Sequence, residues 1–92
     1  MSSNLPTYRP MLCFENNLYS DIELVAGNTI KDMQYVGMIE DIIPPTRKPN
    51  KNFQSNEDGY LYAKVYRDSV GNILILLTNG NVLKMEKLNI IS

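Results

Sequence analysis

Between Tyr60 and Glu86 three short apolar runs are separated by two glycine turns, and this spacing constrains the fold more than any other feature of the chain. The runs are Tyr60 to Tyr66, Ile73 to Leu77 and Val82 to Glu86; the turns are Val70-Gly71-Asn72 and Asn79-Gly80-Asn81. Glycine adopts positive φ without steric cost, so such turns between β-type runs predict hairpins. Side chains alternate along a strand, which puts Leu61, Ala63 and Val65 on one face and Tyr60, Tyr62, Lys64 and Tyr66 on the other. Ile73 to Leu77 is apolar on both faces, as expected of a central strand, since such a run left at an edge would aggregate. Regular strands and turns of this kind predict an all-β sandwich or barrel of about five strands.

A chain of 92 residues makes one domain, and at this size folding buries only roughly 60 to 65% of the surface the unfolded form exposes. A partner surface would supplement so thin a core. Nine basic and ten acidic side chains leave a net charge of −1, without the concentrated positive field that a duplex nucleic acid requires. The basic cluster Arg47-Lys48-Pro49-Asn50-Lys51 lies in a stretch read as a loop. It is either solvated or a contact for phosphate or acidic protein, which makes Arg47 and Lys48 candidate binding residues. Cys13 is the single cysteine, so no internal disulfide is expected and a reducing, intracellular location fits. The first residues lack the pattern of a secretory signal, and Ile73 to Leu77 is too short to cross a bilayer as a helix. Richness in Asn, Ile, Lys and Tyr suits an AT-rich coding sequence such as many viruses and some bacteria carry, and a location within a virion is the alternative expected.

Residues 1 to 20 mix Pro6, Pro10 and asparagines with scattered large apolar side chains and follow neither strand nor helix period. They are expected to form an extended arm, held by the domain or by a neighbour, ahead of a barrel domain at 21–92. Asp21 to Val25 alternates as a strand. For Thr29 to Ile43 two readings stand. Thr29 and Asp32 resemble a capping box that opens a helix, whereas as a strand Met33, Tyr35, Gly37 and Ile39 share a face and Gly37 permits a sharp bend. Strand is preferred. The stretch 44–57 holds three prolines and one large apolar residue, Phe53, and reads as a long surface loop, either passive or a contact element.

Catalytic chemistry has little support. The chain has no histidine, so the commonest general base and metal ligand are missing. Without an imidazole partner Cys13 is expected to be an unreactive thiol. Glu40-Asp41 and Glu57-Asp58 are adjacent pairs that point to opposite faces of a strand, and the glycines are too dispersed to open a phosphate-binding loop. No catalytic residue, metal site or cofactor is predicted. The tyrosines Tyr60, Tyr62 and Tyr66 are the leading contact residues, because tyrosine offers broad, rigid area with a polar tip; the competing reading packs one or two of them beneath the loop or the arm.

The series Asp58-Gly59-Tyr60-Leu61-Tyr62-Ala63-Lys64-Val65, an aliphatic strand, Asn79-Gly80-Asn81 and a closing Leu88 resembles the Tudor group of SH3-like barrels over about thirty-five residues. That resemblance implies an SH3-like, Tudor-like small barrel. It also implies an aromatic cage for a methylated side chain, with Tyr60 or Tyr62 as a wall and Asn81 as the polar residue. Leu76 or Leu77 and Asn79 stand where further cage aromatics are expected. The function expected is a non-enzymatic protein-contact or structural subunit, such as an accessory component of a viral or phage particle, with protein partners, no duplex nucleic acid and no membrane. A Tudor-like reader of a modified peptide and a virus-encoded inhibitor of a host enzyme are the alternatives.

Overall fold

The computed structural model describes residues 7–88. These form an all-β domain of eight strands: β1 (Leu12–Phe14), β2 (Asn17–Val25), β3 (Gln34–Met38), β4 (Asp41–Ile42), β5 (Gln54–Ser55), β6 (Lys64–Arg67), β7 (Ile73–Leu76) and β8 (Val82–Lys87). They belong to one sheet in the order β3-β6-β7-β8-β2-β1-β5-β4. All neighbours are antiparallel except β4 and β5, which run parallel, so the sheet is mixed. Its two outermost strands, β3 and β4, are successive pieces of one segment. Between them Ile39 N–H donates to the Ala63 carbonyl at 2.9 Å and Tyr62 N–H to the Ile39 carbonyl at 2.7 Å. The segment 34–42 thus bonds to both ends of the sheet and curls it into a half-barrel.

The expected central strand and its turns are present. β7 pairs with β6 and β8, and Ile73 and Ile75 point into the core with Val65, Ala63 and Met85. The Gly71 and Gly80 backbones have φ of +100° and +94°, values that only glycine tolerates easily. Asp68 organises the first turn by accepting from the Val70 and Asn72 amides at 2.9 and 2.8 Å. These bonds, led by that from the Asn72 side chain, favour the carboxylate and hold its pKa below the usual range.

The N-terminal expectation requires correction. Residues 12–20 are not an arm: they lie in β1 and β2, and the boundary expected after residue 20 falls inside β2. Leu12 and Phe14 enter the main core, while Met11 and Cys13 pack on the other side with Leu18 and Leu88. Both faces of β1 are buried, so the run shows no polar alternation. Glu15 and Asn16 reverse the chain with φ of 51° and 65°, the signature of a two-residue hairpin turn, and pair Phe14 with Asn17. Residues 1–6 of the expected arm lie outside the described residues, as do 89–92.

The strand count and the loop reading of 44–57 also change, whereas the preferred strand reading of 29–43 holds over β3. The strand count is eight rather than about five, and the short β4 and β5 are among the additions. The helical reading of 29–43 gives way to a single 3-10 turn at Gly27–Ile30 followed by strand. Gly37 sits at the bulge that separates the Tyr35 and Gly37 registers. The stretch 44–57 is not merely a surface loop: Pro49, Gln54, Ser55 and Asn56 are buried and β5 joins the sheet. No described helix is long and apolar enough to cross a membrane.

Candidate functional site

The Tyr60–Tyr66 stripe does not survive as a single face. The strand begins only at Lys64, because a 3-10 turn occupies Asp58–Tyr60 and Tyr62 adopts φ 65°. Glu57 caps that turn by accepting from the Gly59 amide at 2.9 Å. This irregular backbone rotates Tyr60 inward, where it is 4% exposed and belongs to the main core. Its hydroxyl donates to Asp21 Oδ1 at 2.9 Å. Burial, and then this bond to a carboxylate, push the phenol pKa well above its ordinary value. Tyr60 is therefore a structural residue and presents no surface to a ligand.

On the outer face of β3 and β6 the tyrosines are Tyr35, Tyr62 and Tyr66, and Tyr8 is exposed elsewhere. Strand registers align Tyr35, Tyr66, Leu74, Lys84 and Glu23 in one row across β3, β6, β7, β8 and β2. Lys64 and Leu76 lie opposite each other one step along on the same face. The Tyr35 and Tyr66 rings meet edge to face with centroids 5.7 Å apart, a geometry favoured by the ring quadrupoles. Tyr35 is 51% and Tyr62 56% exposed, whereas Tyr66 is half-buried. Tyr62, Lys64, Leu76, Leu77, Thr78 and Gly80 line an open depression of about 270 Å³. Met33, Thr29 and Asp32 approach the other end of this face, lining a groove of about 500 Å³ with Leu74 and Lys84. What remains bare is a strip of tyrosine and lysine, edged by half-buried Leu76, beside β3, which pairs on one side only.

The remaining sequence candidates go elsewhere. Phe53 is half-buried, with its ring 5.4 Å from that of Phe14 and pressed against Gly37; it fills the core. Asn81 is exposed in the β7–β8 turn, where its amide donates to Asn79 Oδ1 at 2.9 Å and its carbonyl accepts from the Leu77 amide at 2.8 Å. Arg47 and Lys48 are exposed beside Tyr8, with Lys48 Nζ 5.2 Å from the Tyr8 ring centre. Tyr60 and Tyr62, the two positions that could supply a cage wall, are separated into core and surface.

Tyr35 was visible in the sequence as a strand residue but not as a contact residue. Its neighbour Tyr66 is 31 positions away in sequence and is brought to it by the β3–β6 register. Cys13 is 5% exposed, and burial raises its thiol pKa, which disfavours the reactive thiolate. Among the described residues no group of three or more acidic or thiol side chains is arranged to hold a metal. Comparison with protein-family models, with curated proteins and with solved structures finds no significant match to the chain.

Proposed function

We propose that the chain is a non-enzymatic protein-contact module or structural subunit built on an SH3-like half-barrel, serving as an accessory component of a larger assembly such as a viral or phage particle. The observation that carries this reading is the exposed strip of Tyr35, Tyr62 and Lys64, edged by half-buried Leu76, beside the singly paired strand β3. Aromatic residues with apolar bodies and polar tips dominate the energetics of protein interfaces. An edge strand adds backbone donors and acceptors to which an extended segment can pair, and the bulge at Tyr35–Gly37 limits unspecific pairing of the same edge.

Site-specific photo-crosslinking in the cells that make the protein tests this. A benzophenone side chain placed at position 35 or 62 is expected to give a discrete protein adduct, whereas one at Val70, the most exposed large apolar residue of a turn, is not. Adducts at Val70 alone, or at none of the three, would overturn the proposal.

A further inference from the structure

Two stretches far apart in sequence, 8–11 and 45–56, are tied together by backbone and buried polar groups. The Tyr8 amide donates to the Pro45 carbonyl at 2.8 Å. The side chain of Asn56, 3% exposed, donates through Nδ2 to the carbonyls of both Arg9 and Arg47 at 3.3 Å and accepts from the Met11 amide at 2.8 Å. Ser55 Oγ donates to the Met11 carbonyl at 2.6 Å. One amide nitrogen that reaches both carbonyls fixes the two backbones side by side. Arg9, Arg47 and Lys48, all exposed, therefore rise from one small area next to Tyr8.

The carboxylates nearby are engaged by other donors. Asp21 Oδ1 accepts from Tyr60, Asp41 Oδ2 from Gln54 at 2.7 Å and Glu57 Oε2 from Gly59. Among the described residues the ion pair is Arg67–Glu15 at 3.2 Å, and no described carboxylate pairs with Arg9, Arg47 or Lys48. Arg9 Nη2 reaches only a backbone oxygen, that of Asp21, at 3.4 Å. Three cations with no ion-pair partner among the described residues are thus assembled by a buried asparagine in a chain whose net charge is −1.

We propose that Arg9, Arg47 and Lys48 form an anion-accepting patch that docks a short acidic segment of a partner protein. Arginine guanidinium groups match carboxylates with paired hydrogen bonds, which favours acidic side chains over a diffuse field. Asp41 bonds to Gln54, two positions before Asn56, and Glu57 follows Asn56 directly; these carboxylates disfavour an extended polyanion, whereas a short acidic stretch ends before them. The patch is independent of the tyrosine strip.

The test uses the full chain and fluorescence anisotropy with a labelled short peptide rich in Asp and Glu, its Asn/Gln counterpart, a short single-stranded DNA and, as competitor, inorganic phosphate. Saturable binding of the acidic peptide is expected, weakened by salt and not shared by its neutral counterpart. The double variant R47E/K48E should lose about ten-fold or more in affinity, with R47Q/K48Q giving a smaller loss if the reversal impairs folding. K31E and Tyr62→Ser should leave binding unchanged, which separates this patch from the tyrosine strip. No saturable binding, tighter binding of DNA, displacement by phosphate at an ionic strength where chloride leaves the peptide bound, or insensitivity to the Arg47 and Lys48 variants would each overturn the proposal.

Discussion

Tyr60 shows how one side chain can exchange a surface role for a structural one. Its ring fills the core and its hydroxyl bonds to Asp21, so Tyr60→Phe removes a hydrogen bond to a charged acceptor and should cost about 1.5 to 3 kcal/mol in urea unfolding. The same residue sets an alkaline limit. Because the folded phenol pKa is raised, the unfolded chain gives up this proton first; stability should be constant below the ordinary tyrosine pKa of about 10 and fall as pH rises above it. Tyr60→Phe should flatten that fall relative to the parent. A flat alkaline profile in the parent would contradict the buried placement. Strict alternation through Tyr60-Leu61-Tyr62 puts both tyrosines on one face, and nothing local announces the positive φ at Tyr62 that separates them. Ala63 and Val65, within the regular strand or next to it, were placed correctly.

At the scale of elements, the strands that read clearly were those bounded by glycine. The β6–β7–β8 meander follows from its turns and from the apolar β7. The β1–β2 hairpin did not, because Glu15-Asn16 lacks the glycine that usually marks such a turn, and because β1 buries both faces. Since Asn16 holds φ 65°, Asn16→Gly should be tolerated and should change stability by less than about 1 kcal/mol. Leu12→Ala, in contrast, should cost about 2 to 5 kcal/mol, the range for a truncated core side chain; a loss below about 0.5 kcal/mol would return this segment to the status of an arm. The Gly37 bulge makes a complementary prediction. A Cβ at that position would overlap the Phe53 ring, so Gly37→Ala should destabilise by about 1 to 3 kcal/mol. Phe53→Leu in the same chain should recover part of the loss, measured as a double-mutant cycle.

At the scale of the whole molecule, the distinctive feature is that one segment, 34–42, bonds to both ends of the sheet. The sequence carried half of this, a bend at Gly37. The other half is a parallel pairing with β5 inside a stretch that composition marked as loop, and the signal was hidden because two-residue strands have no period to read. The candidate contact surfaces have the same origin: Tyr35 with Tyr66, and Arg9 with Arg47, are juxtaposed by long-range pairing, so each half looked ordinary alone. Deleting residues 1–20 should abolish cooperative unfolding, since β1 separates β2 from β5 in the sheet.

Native-state amide hydrogen exchange followed by NMR tests this closed arrangement most directly. The amides of Met11, Ile39, Ile43 and Phe53, which bond to Asn56, Ala63, Ser55 and Cys13, should exchange as slowly as those of β6 and β7, in one cooperative unit. Rapid exchange at Met11 and Phe53 while β6 to β8 stay protected would show a C-terminal meander carrying a loose N-terminal half, and would contradict the account.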